Sequence, residues 1–174
     1  MDELHDNEQY FFDEPTLDQL AEFVSSWSRP CCLCAPLLGQ RLAKRGVDVT
    51  ILDVDQRFAG TLGFRHWDLR RPQWLGIEFD LIICDPPFFN LSLSQLFTAI
   101  RTLACNRFEQ SLLLFYLQRR GQAVTQSFAR FGLTRTGYCP GYQTVQNVDR
   151  NVVEMFGNVP SERLAGLSAD PGSL

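Results

Sequence analysis

Apolar residues follow two rhythms along this chain. Consecutive apolar positions at 31–35, 81–84 and 112–117 are the mark of short strands buried on both faces. Val47, Val49, Ile51 and Leu52 make a further run rich in β-branched residues. A helical spacing appears in Leu17, Leu20, Ala21, Val24 and Trp27, and more cleanly in Leu93, Leu96, Phe97, Ile100, Leu103 and Ala104. The pattern predicts a helix over 15–27, a strand at 31–35, a helix at 37–45, strands at 47–52, 64–68 and 79–84, a helix from 93, a strand at 111–117, a helix near 119–131, and closing strands at 133–138 and 152–156. Pro15 suits a first helical turn with Asp13 or Glu14 ahead of it, Gly46 and Gly132 suit helix ends, and Asn90-Leu91-Ser92 suits a cap.

Alternation of strands and helices argues a parallel, doubly wound sheet, and two late strands without an intervening helix argue an antiparallel pair on it. With 174 residues, one domain is expected: residues 9–158, preceded by a disordered stretch at 1–8 and followed by a flexible tail at 159–174. No apolar run approaches the roughly 20 residues of a membrane span. The opening residues are acidic and polar, unlike a secretory signal.

The chemistry gathers at Asp85-Pro86-Pro87-Phe88. Two prolines forbid continuation as helix or central strand, so the buried strand must stop there. An acid, a rigid backbone and an aromatic ring are then presented at a strand's carboxyl end, where open α/β sheets bind ligands. The quartet suits methyl transfer to an amino nitrogen. Asp85 can accept one N–H, the Pro86 carbonyl (held by the Pro87 ring) another, and Phe88 can stack on a flat group, aiming the lone pair at a sulfonium methyl. The same four residues also suit a plain tight turn. Phe89, Tyr142 and Asn147 are the further candidates on the substrate side.

Asp53 ends the second strand about 20 residues after the first begins, the interval of a ribose-binding acid in a doubly wound nucleotide site. The usual glycine-rich turn is missing: Ala35-Pro36-Leu37-Leu38-Gly39 holds one glycine. Four of the six cysteines, Cys31, Cys32, Cys34, Cys84, Cys105 and Cys139, lie in or beside apolar runs, where free cysteine behaves as a small hydrophobe. Cys31 and Cys34 form a C-x-x-C without a second pair, so all six are expected reduced and buried, without metal, in a reducing cytoplasm. Net charge is −4, against a domain that grips a phosphate backbone alone, though arginines cluster at 65–71, 119–120 and 130–135.

Together these residues resemble the small S-adenosylmethionine-dependent amino-methyltransferases called N6-adenine methyltransferase-like, a branch that includes the elongation factor 1-alpha lysine methyltransferases. The resemblance spans residues 9–157. It rests on Asp85-Pro86-Pro87-Phe88, on the aromatic opening Gln9-Tyr10-Phe11-Phe12-Asp13-Glu14-Pro15, on Cys34-Ala35-Pro36, on Leu52-Asp53-Val54-Asp55, on His66-Trp67-Asp68, and on the closing segment at 145–156. It implies a Rossmann-like, seven-stranded, mostly parallel sheet binding S-adenosylmethionine. Asp53 would hold the ribose hydroxyls with Asp55 in reserve, Asp68 would meet the adenine amine, and Ala35, Pro36, Leu37 and Leu38 would line the methionine part. The expected function is N-methyl transfer to adenine in RNA or DNA, with RNA favoured, or to a protein lysine, with a partner protein helping recognition. Leu37-Leu38 replaces more polar loop residues, which keeps open a second function, an interaction module that has lost catalysis.

Overall fold

The computed structural model describes residues 1–146 and 148–167. Seven strands form one sheet: β1 (Pro30–Leu33), β2 (Thr50–Asp53), β3 (Phe64–His66), β4 (Leu81–Cys84), β5 (Leu112–Leu117), β6 (Thr134–Arg135) and β7 (Val153–Gly157). Their order is β3-β2-β1-β4-β5-β7-β6. The first five positions run parallel, and β7 is antiparallel to both β5 and β6. Every residue of β1, β4 and β5 is buried, the physical counterpart of their unbroken apolar runs.

Helices α1 (Glu14–Val24), α2 (Pro36–Lys44), α3 (Leu93–Leu103) and α4 (Gly121–Ser127) cover the sheet, α1 packing with α2 and α3 with α4. The direction of winding reverses between β1 and β4, so right-handed crossovers put α2 and α3 on opposite faces. Asp13 caps α1, its carboxylate accepting from the Thr16 amide at 2.9 Å. Ser92 and Gln95 form a reciprocal capping box on α3. The helix expected near 119–131 is shorter, because 3-10 turns occupy 118–120 and 129–131.

Both ends of the described chain carry local structure. Residues 1–8, expected to be disordered, contain a 3-10 turn at His5–Asn7, and Glu3 accepts hydrogen bonds from the Phe11 amide and the Thr144 hydroxyl. Ser161–Leu164 forms one helical turn, followed by a 3-10 turn that buries Leu167 and brings its carbonyl to the Gln19 side chain. The expected flexible tail lies, for residues 168–174, outside the described residues. Cys31, Cys32 and Cys84 are buried strand residues, whereas Cys105 and Cys139 are exposed, each in a loop beyond the apolar run near it. Burial pushes the buried thiols well up, which keeps them protonated. No described helix is long and apolar enough to cross a membrane.

The sheet edge makes one sharp demand. Gly63 sits at φ +87° just before β3, its carbonyl accepting from the Ile51 amide, and a Cβ there would lie 2.0 Å from the Val49 carbonyl oxygen. Gly63→Ala is expected to destabilise the fold by about 2 kcal/mol or more, since it meets both a left-handed conformation and a backbone clash. Thermal melting should fall by about 4–8 °C; an unchanged midpoint would contradict the packing of β2 on the β3 turn.

Candidate active site

The carboxyl ends of β1 and β4 lie side by side at the reversal of strand order, and an open cleft lies above them. The Asp85 amide donates to the Leu33 carbonyl at 3.1 Å, and the Cys34 amide to the Leu52 carbonyl at 2.9 Å. Beyond these rungs both strands break. Cys34 turns with φ 55°, a left-handed conformation where glycine is the usual choice, and Pro36 starts α2. On the other side Pro86 and Pro87 follow Asp85.

Asp85, Pro86, Pro87 and Phe88 all line the cleft. The Tyr142 hydroxyl donates to Asp85 Oδ1 at 3.0 Å. Burial pushes the Asp85 carboxyl well above the usual carboxylate range, and the Tyr142 bond offsets only part of this. Burial, then the Asp85 charge, pushes the Tyr142 hydroxyl well up, so Tyr142 is a donor and not a base. Tyr142 is placed by packing from the far end of the chain. Phe12 and Tyr142 form a backbone bridge and a ring contact with centroids 5.2 Å apart. The Asp13 amide donates to Gly141, where a Cβ would meet the Asp13 carboxylate at 2.1 Å.

The other bank of the cleft is acidic and apolar. Asp53 is 7% exposed, and its Oδ1 accepts from the Asp55 amide at 2.8 Å. Burial raises its affinity for a proton, and backbone N–H donors oppose that. Trp67, Leu69 and Leu38 give this bank flat apolar walls, and Asp68 commits one oxygen to the Arg70 amide at 2.8 Å. Ala35, Pro36 and Leu37 lie at the start of α2 and line the cleft; that end has no side-chain cap, so the amides of its first turn have no intrahelical partner. Free amides for a carboxylate, a buried acid for a pair of hydroxyls and a flat apolar wall for a base are the donor set that an amino-acid nucleoside requires.

Two sequence-expected residues, Asp55 and Phe89, do not line the cleft. Asp55 is buried but does not line the cleft. The Arg57 guanidinium grips both its oxygens and Gln9 adds a further bond, and Arg57 holds the carboxyl below its usual range. It therefore cannot stand in for Asp53. Phe89 is 67% exposed and outside the cleft. Asn147 lies outside the described residues. Conversely, Glu8, Gln9, Tyr10, Trp67, Arg70 and Asn90 line the cleft without having been singled out for it. The aromatic opening held a signal for Gln9 and Tyr10; an acidic tail residue such as Glu8 offered none.

Among solved structures, a candidate RNA methyltransferase from Pyrococcus horikoshii is similar with a TM-score of 0.60 at 16% identity, covering 91% of each chain. Magnesium protoporphyrin IX methyltransferase from Synechocystis, solved with bound S-adenosylmethionine, gives a TM-score of 0.55 at 16% identity over 83% of this chain and 79% of its own. A TehB-like S-adenosylmethionine-dependent methyltransferase from Corynebacterium glutamicum gives 0.53 at 15% identity over 80% and 86%. A comparison with curated proteins found no sequence match. The sheet order and the switch-point cleft thus define a protein with the fold of the S-adenosylmethionine-dependent methyltransferases. More narrowly, the chain belongs to the family described as probable N6-adenine methyltransferase, whose model matches residues 3–160.

The raised proton affinity of Asp85 has a stability consequence. A carboxyl that holds its proton more tightly when folded costs stability once pH exceeds its unfolded pKa, and that cost vanishes below it. Asp85→Asn keeps an oxygen for Tyr142 and removes the charge. The variant should melt above the wild type at pH 7–8, the gap closing as pH falls toward about 4. A variant less stable at every pH would show that Asp85 is held for the fold.

Proposed function

We propose that the cleft transfers a methyl group to an exocyclic amine, and that adenine in RNA is the favoured target. The observation that carries this reading is the Tyr142–Asp85 pair. It commits Asp85 Oδ1; the second carboxylate oxygen and the carbonyl of Pro86, a residue that also lines the cleft, would accept the two N–H groups of a planar amine. When bound, S-adenosylmethionine supplies a sulfonium methyl. Asp53 and the first turn of α2 would hold its polar groups, with Trp67 and Asp68 about its base. A cation at the cleft favours the charged form of Asp85, which restores the acceptor the amine needs.

Target chemistry divides adenine from lysine. A lysine must lose a proton before attack, whereas the adenine amine attacks without a prior deprotonation. The two tyrosines close to the motif are poor bases: burial pushes up the hydroxyls of both Tyr142 and Tyr116. Phe88 lies edge-on to Tyr116, ring centroids 5.3 Å apart, and gives the target side an aromatic wall on which a base can stack. Arg119 and Arg120 are exposed at the end of β5 and their charge acts on Tyr116, which suits a phosphate backbone approaching from that side despite the net charge of −4.

The test is transfer of tritiated methyl from S-adenosylmethionine into cell extract, divided afterwards by nuclease and by protease. Label should be released by ribonuclease. Asp85→Ala should lower incorporation about 100-fold, the scale of lost near-attack geometry. Label that survives nuclease and yields to protease would move the target to protein. Full incorporation by Asp85→Ala would overturn the role given to the turn.

A further inference from the structure

The segment before α1 crosses the cleft and is fastened on both banks. On the β4 side, Glu8 Oε2 accepts from the amides of Phe89 at 3.1 Å and Asn90 at 3.3 Å, and Oε1 accepts from Asn90 Nδ2 at 2.7 Å. On the β2 side, Gln9 Nε2 donates to Asp55 at 3.0 Å, while Arg57 donates to Gln9 Oε1 at 2.9 Å and to the Asp2 carbonyl at 2.8 Å. Glu8 itself takes φ 52°, a left-handed conformation uncommon for a residue with a long side chain. Such an outlier persists only where surrounding contacts hold it.

We propose that Glu8 is a positioning residue for the acceptor turn: it fixes the Phe89–Asn90 end of the motif, so that Asp85 and the Pro86 carbonyl keep their aim. The proposal rests on the amine-transfer reading above. Its physical basis lies in the prolines. Pro86 and Pro87 have no N–H, so the chain leaving β4 cannot be held by a ladder. The amides of Phe89 and Asn90 follow closely, and one carboxylate binds both together with the Asn90 side chain. Bonds to an ionised acceptor are the strong kind. Arg70 closes the turn from the other side, donating to the Asn90 carbonyl at 3.1 Å. Because Gln9 adjoins Glu8, the same short segment also joins this turn to the Asp55–Arg57 pair at the end of β2. The two banks of the cleft are thereby held at a set separation by two consecutive side chains.

The experiment compares full-length wild type, Glu8→Ala and Glu8→Gln. Amide hydrogen exchange at Phe89 and Asn90 is followed by NMR, S-adenosylhomocysteine affinity by titration, and tritiated-methyl transfer on total RNA and on protein extract. In Glu8→Ala, exchange at the two amides should rise about tenfold, as expected for loss of a local hydrogen-bonded structure. Affinity for S-adenosylhomocysteine should stay within about threefold, while kcat falls about 10- to 100-fold, the cost of a misplaced acceptor site. Glu8→Gln keeps one acceptor oxygen and should recover most of the rate and most of the protection. Unchanged exchange at Phe89 and Asn90 in Glu8→Ala would overturn the proposal, and so would a rate that Glu8→Gln does not restore. If the wild type binds no S-adenosylhomocysteine, the methyl-transfer reading falls, and exchange at the two amides alone decides whether Glu8 holds the turn.

Discussion

The cleft depends on one rung of the sheet, the hydrogen bond from the Asp85 amide to the Leu33 carbonyl. It is the last contact of β4 with β1 before two residues that cannot donate. A strand with an ordinary residue in place of Pro86 could carry on past the sheet's edge and fill the cleft. Here it must stop, and the acid is left at the floor with its backbone fixed and its side chain bonded to Tyr142. The neighbouring strand stops for a different reason: Cys34 turns left-handed and Pro36 fixes the start of α2. The reversal of winding between these two strands opens the space between α2 and the acceptor turn.

Three carboxylates near the strand ends show how environment assigns roles. Asp55 is locked by Arg57 and Gln9, holds its charge firmly, and belongs to the framework. Asp53 and Asp85 are desolvated and, among the described residues, form no salt bridge, so each holds its proton more tightly than a free carboxylate. Uncompensated burial of this kind costs stability, and it is found where a ligand supplies the missing partner. The hydroxyl of Tyr142 satisfies Asp85 only in part, which leaves the rest of its bonding capacity directed at the cleft.

Most of the sheet was legible because its inner strands are buried on both faces, and such strands read as unbroken apolar runs. The two prolines after Asp85 marked the end of β4 and the candidate cleft for a different reason, the absence of an N–H. Legibility failed where a residue's role depends on a partner far along the chain. Asp55 looked like a second ribose acid until Arg57 was seen to take both its oxygens. Phe89 looked like part of the aromatic wall, yet the turn leaves its ring exposed while its amide goes to Glu8. Residues 1–8 are polar and acidic, the composition of a loose tail. Their order comes from contacts to Thr144, Arg57 and Asn90, separated by more than fifty positions, and no local pattern encodes those.

Asp53 and the uncapped start of α2 are expected to hold an amino-acid nucleoside in this cleft. Calorimetric titration of S-adenosylhomocysteine into the purified chain, beside Asp53→Ala, tests it most directly. The wild type should bind saturably and one-to-one, and Asp53→Ala at least about tenfold more weakly, the cost of one charge-assisted hydrogen bond. No heat at millimolar ligand, or equal affinity in the two proteins, would contradict it.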